Sequence, residues 1–242
     1  MLVEKRILKG IDNLSEVERT FVVLLGELAN DLTNLRKLLA AADRTLPDPL
    51  EMQANAVLKL VLLKLLGARI WQSWELLRSF YQKQVLAESS WLHGQSTLYA
   101  FIRKLKHELP DGCVWDRIRD QFAFHYDPGA LGPVFAVDVL GGQFDLVSSE
   151  QVTNSFFISS EMAVWSAILE VHDDQAFAEA LSPLVEKAAD LTGGLVGVIR
   201  ELFTAFVAHV VNDLGGSWEV ESSSTSITAV PYENALLPLF GA

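Results

Sequence analysis

The sequence predicts a mainly α fold of long helices packed as a bundle, with a short β-hairpin or extended insertion and additional C-terminal helices. Phe21, Leu25, Leu28, Leu32, Leu35 and Leu39 recur at alternating four- and three-residue steps. That is the heptad stripe of a helix lying nearly parallel or antiparallel to its neighbours. Residues 56–66 are apolar almost all round apart from Lys59 and Lys64, as suits a helix at the centre of a bundle. Half of the 242 residues are hydrophobic and 21% are charged, which gives material for a large core and excludes a disordered chain.

The elements follow in order. Ser15-Glu16-Val17-Glu18 is a capping-box pattern that opens the first helix, and residues 43–49 end it. A second long helix is expected over residues 50–85. Its later half carries Ile70, Trp71, Trp74, Leu77, Phe80 and Tyr81. Residues 97–109 form a shorter third helix with Lys and Arg on one face. Pro110-Asp111-Gly112 makes a turn, and residues 113–126 form the fourth helix.

Pro128, Gly129, Gly132 and Pro133 then break the pattern, and residues 144–146 and 152–158 look extended. Helices resume at 160–171 and 174–191. Gly193-Gly194 separates these from a final helix at 195–214, and the tail from Ser217 reads as irregular or a short strand. The expected division is a helical bundle at 1–127 and an extension at 128–242 packed on the same bundle.

Composition narrows the function classes. The net charge of −12 argues against a protein that coats nucleic acid through a general basic surface. A single cysteine, Cys113, excludes an intramolecular disulfide and any multi-cysteine zinc site, and it reads as a buried, inert thiol. Residues 1–14 lack a continuous apolar core of the kind a secretion signal needs. No uninterrupted apolar run approaches the ~18 residues of a bilayer span. A soluble, cytoplasmic protein without membrane partners is expected. No phosphate-binding loop, dinucleotide fingerprint or nucleophile elbow occurs, so no cofactor or metal is expected.

The chemistry-bearing stretch is Arg119-Asp120-Gln121-Phe122-Ala123-Phe124-His125-Tyr126-Asp127, ahead of the helix stop at Pro128-Gly129. Arg is suited to stabilising phosphate charge, and His to moving a proton near neutral pH. On a wheel at 100° per residue, Val114, His125, Ile118, Phe122, Trp115, Tyr126 and Arg119 share an arc of roughly 140°. Arg119 and His125 thus fall on the apolar face, where charged groups are rare without partners. Two readings fit. His125 is a satisfied last-turn histidine and Arg119 pairs with an acid of a neighbouring helix, or the two are catalytic.

The stretch from Ile118 to Asp127 resembles the signature of the HEPN superfamily. That signature is an Arg, a polar residue directly after it, and a His four to six residues from the Arg, often near a Tyr. Arg119, Asp120 and His125 fill these positions, and Tyr126 follows the His directly. Residues 68–77 also resemble the second-helix pattern of some members, so the likeness covers roughly residues 15–127.

The resemblance implies an antiparallel up-and-down bundle that dimerises so that two such helices form one composite cleft. Active members are metal-independent endoribonucleases, many of them toxins or parts of anti-phage defence; others are inactive helical interaction modules. The implied roles are His125 as general acid or base, Arg119 as stabiliser of the phosphorane charge and Asp120 as an orienting group, with Tyr126 beside them. The implied partners are a second copy of the chain, RNA, and an antitoxin or other protein.

Weaker candidates remain. Arg103, Lys104, Lys106 and His107 form a basic face on the third helix, most simply a solvated one. His172-Asp173-Asp174 carries ligand-type side chains but reads as the cap of the next helix, through Asp173 or Asp174. His209 lies among Phe203, Phe206, Val207, Val210 and Val211 and reads as a core or interface histidine. A small-ligand or nucleotide pocket within the bundle is a third reading.

Overall fold

The structure, a computed structural model, describes residues 2–44, 46–89, 96–123, 127–132, 145–147, 156–171 and 173–226. It is mainly α-helical. The chain runs β1 (Leu2–Lys9), α1 (Glu16–Ala42), α2 (Pro49–Glu75) and a π-helical continuation (Leu76–Val85). Next come α3 (Ser96–Glu108), α4 (Val114–Arg117) with a π-helical continuation (Ile118–Ala123), and the two-residue strands β2 (Leu146–Val147) and β3 (Phe156–Phe157). The described chain ends with α5 (Ile158–Leu169), α6 (Asp174–Asn212) and β4 (Ser217–Ser226). Two compact units are distinguished, one of residues 1–31, 72–108 and 193–231, the other of 32–71, 109–192 and 232–242.

In the first unit, α1 begins as the capping box requires. Ser15 Oγ accepts the Glu18 N–H at 3.2 Å, and the Glu18 carboxylate accepts the Ser15 N–H at 3.0 Å. Glu18 is buried and also takes the Ser89 hydroxyl at 2.6 Å. Phe21, Leu25 and Leu28 of the stripe are buried, and the Phe21 ring stacks on Tyr81 at 5.5 Å. Tyr81 sits with Leu77 and Val85 at four-residue steps along the buried side of the π-helical stretch, whose turns are wider than those of an α-helix.

The same unit holds a pairing that the sequence pattern did not foretell. β1 and β4 run antiparallel, with Lys5 opposite Glu221 and Lys9 opposite Ser217. A two-stranded sheet alone is marginal in water. Here it is backed by Leu8 and by a cluster of Leu14, Phe206 and Val210. The sheet and the end of α6 meet very closely. The Gly216 N–H donates to Val210 O at 2.8 Å, and a Cβ on Gly216 would run into the Lys9 carbonyl. Gly10 adopts φ 92° at the same junction, where a side chain would be strained.

In the second unit, Asp48 caps α2 by accepting the N–H groups of Leu50 and Glu51 at 2.8 and 3.0 Å, with Pro49 at the first helical position. Asn55 Nδ2 donates to Ala42 O, at the C-terminal end of α1, at 2.8 Å. Leu63, Leu66, Ile70, Trp71, Trp115, Ile118, Trp165 and Ile168 are buried. Trp165 Nε1 finds the Leu60 carbonyl at 3.2 Å. Lys64, read from sequence only as an interruption, is buried and its ammonium bonds both Glu161 oxygens at 3.1 and 3.0 Å. β2 pairs antiparallel with β3 through Leu146 opposite Phe157 and Val147 opposite Phe156.

Two expectations are corrected. Gly193-Gly194 does not divide the last helix, because α6 runs unbroken from Asp174 to Asn212 and carries Pro183 inside it. Tertiary packing overrides the weak local propensity: a Cβ on Gly194 would lie 2.5 Å from the Phe101 ring, so the glycine admits that ring to the helix surface. The expected lack of any membrane-length apolar segment also fails. Residues Gln175–Asn212 are long and apolar enough to cross a bilayer by length and composition, with a window of mean hydropathy 1.6, a third of it buried inside the protein. Single charges such as Arg200 and Glu201 interrupt a run, but an average over a window absorbs them.

Candidate functional site

The helix bearing Arg119 is set by a turn and a close packing contact. After Pro110, Gly112 takes φ 77°, and its N–H donates to Asp116 Oδ2 at 2.8 Å. Cys113 is extended at the N-cap position of α4. Burial pushes its thiol above the ordinary value, the nearby Asp116 carboxylate adds to this, and backbone hydrogen bonds act against it. A Cβ on Gly67 of α2 would lie 3.0 Å from the Trp115 ring and 3.1 Å from Ile118 Cδ1. The glycine therefore lets α4 press Trp115, Ile118 and Phe122 into the core of this unit.

From Ile118 the helix widens into its π-helical stretch, so a 100° wheel does not hold through residues 118–123. Arg119 is about a quarter exposed. Its Nη2 lies 2.5 Å from Asp120 Oδ1 and 4.0 Å from Asp116 Oδ1. Both of these acids belong to its own helix. Adjacent residues on an α-helix do not face each other, which makes the Arg119–Asp120 contact a specific property of this stretch. The Asp127 N–H closes the segment by donating to Gln121 O at 3.2 Å. Asp127 then caps the turn Pro128–Leu131 by accepting the Gly129 N–H at 2.9 Å.

Arg119 and Asp120 are thus brought together. His125 and Tyr126 lie outside the described residues. Two neighbouring contacts fall outside the Arg–His spacing. Asp116 precedes Arg119 by three residues, a spacing that does place side chains side by side. Arg117 Nη1 is bonded to Glu170 Oε1, a partner 53 positions away that no local pattern reveals. Glu170 caps α5 in the left-handed conformation, φ 58°, usually reserved for glycine or asparagine.

The other candidates resolve simply. Arg103, Lys104, Lys106 and His107 are exposed on α3, with Lys104 3.8 Å from Glu108. Asp173 caps α6 by accepting the Ala176 N–H at 2.8 Å, and His172 lies outside the described residues. His209 Nδ1 is 2.7 Å from Asp213 Oδ2 in the last turn of α6. Among the described residues, no group of three or more His, Cys, Asp or Glu is placed to hold a metal ion.

No protein-family model, curated protein or solved structure matches this chain.

Proposed function

We propose that the chain is a HEPN-like protein, an up-and-down bundle whose second copy completes a metal-independent endoribonuclease site. In this reading the RNA 2′-hydroxyl attacks the adjacent phosphate and the 5′-oxygen leaves. His125 moves the proton, Arg119 stabilises the charge on the phosphorane, and Tyr126 lies beside the histidine. The observation that carries it is the Arg119–Asp120 contact of 2.5 Å on a π-helical stretch, a helix distortion that recurs at functional sites. The aspartate holds the guanidinium in one orientation, the service that the signature asks of its polar residue.

The test is cleavage of single-stranded RNA by the purified chain in the presence of a chelator. Arg119→Ala and His125→Ala are each expected to slow cleavage by about 100-fold or more. Equal cleavage by wild type and both variants defeats the catalytic reading.

One observation favours a second reading, an inactive helical interaction module. Arg119 already carries one carboxylate at 2.5 Å and another at 4.0 Å, on a chain of net charge −12, so an approaching phosphate meets opposing charge. That reading has RNA left intact and His125→Ala lowering dimerisation or thermal stability.

A further inference from the structure

The two carboxylates beside Arg119 are held in different ways. Asp116 has a side chain only 19% exposed, and its Oδ2 accepts the Gly112 N–H at 2.8 Å, which ties it to the turn ahead of α4. Its Oδ1 stands 4.0 Å from Arg119 Nη2, beyond hydrogen-bond reach but near enough to act as a charge. Asp120 is 51% exposed, and its Oδ1 closes on the same nitrogen at 2.5 Å. One arginine thus carries two acids, one anchored to backbone and the other half in water.

Together the acids turn the surroundings of this guanidinium from positive to net negative. A phosphodiester binds an arginine through charge-assisted N–H···O bonds, and the Asp120 carboxylate stands where Nη2 would make one. An ion pair between partly exposed groups of one helix is weak, because water solvates both partners well. Asp120 can therefore give way to a phosphate, whereas Asp116 keeps its backbone bond and stays. We propose, resting on the reading of Arg119 as the arginine that meets RNA phosphate, that Asp120 is a built-in competitor for that place. In the free protein its carboxylate presets the guanidinium. In the complex a phosphate displaces the carboxylate and takes over its contact, while Asp116 continues to draw the guanidinium toward the turn. The competition lowers RNA affinity, and it concerns binding rather than cleavage.

The test is RNA binding by the full chain carrying His125→Ala, so that bound RNA stays intact. The probe is a fluorescently labelled oligouridylate, followed by anisotropy in chelator at low salt. Asp120→Asn keeps the size of the side chain and removes its charge, and is expected to tighten binding by about three- to tenfold. Adding Arg119→Ala should abolish that gain, because no arginine is left to release. Glu186→Gln neutralises an exposed acid elsewhere in the same unit and should change affinity by less than about twofold. Asp120 is half exposed, so helix content by circular dichroism stays unchanged in its variant. A gain from Asp120→Asn no larger than that from Glu186→Gln, a gain that survives Arg119→Ala, or no binding by any variant would each overturn the proposal. The outcomes separate from those of the cleavage assay. An Arg119-dependent gain in a chain that never cuts RNA sinks the catalytic reading alone, and cleavage that needs Arg119 and His125 without such a gain sinks the competition alone.

Discussion

Tyr81 shows how much a single side chain reveals. It is fully buried, stacked on Phe21, and its hydroxyl makes no hydrogen bond among the described residues. Burial, with a smaller contribution from Tyr99, pushes its ionisation well above the ordinary tyrosine value. An unsatisfied buried hydroxyl costs about 1–3 kcal/mol, so Tyr81→Phe is expected to leave stability unchanged or raise it by about 1 kcal/mol at pH 7. The sign at high pH follows from linkage. A group whose ionisation is raised on folding contributes stability below its unfolded value of about 10, and that contribution is lost as pH rises through the folded value. Urea unfolding at neutral and strongly alkaline pH checks this: the advantage of the Phe variant should grow with pH. At the candidate site, Arg119 and Asp120 were legible from their type and order. Asp116 was within reach of the i,i+3 rule, and Glu170 was not, because its contact with Arg117 spans 53 positions.

At the scale of elements, local chemistry was legible where local chemistry decides. Ser15 and Glu18 announced the start of α1, and Asp173 capped α6 as its type suggested. The two π-helical stretches were hidden, because a 3.6-residue period carries no sign of a widened turn. The glycines of α6 misled for a related reason: a Gly pair reads as a break only when nothing else holds the helix. Their environments differ, and so should their substitutions. Gly197→Ala adds a Cβ in open space and should stabilise by about 0.5–1 kcal/mol, whereas Gly194→Ala drives the Phe101 ring aside and should cost about 1–2 kcal/mol. Denaturant titrations at low protein concentration, where association contributes little, compare the two.

Across the whole molecule, the helical character was readable from composition and heptad spacing, but the β1–β4 sheet was not. Its strands are far apart in sequence, and the run Ser222-Ser223-Ser224 looks like a loop until Val3 and Thr225 are seen as partners. The acidic balance is another whole-chain property. With 31 acidic and 19 basic residues, folding compresses like charge, which salt screens. Raising sodium chloride from low to physiological strength should stabilise the fold by about 1 kcal/mol, a rise of roughly 2–4 °C in Tm at this length. A differential scanning experiment that shows no rise would indicate that local pairing already offsets the excess.

The Lys9–Glu219 contact, 210 positions apart, also sets a timetable for synthesis. At about 5–20 residues per second, the strand Leu2–Lys9 leaves the ribosome roughly 10–40 seconds before its partner is made. During that interval its backbone donors and acceptors are open to any passing edge. Glu4, Lys5, Arg6 and Lys9 give this waiting strand a run of charges, a composition that disfavours pairing with a foreign edge before β4 is made.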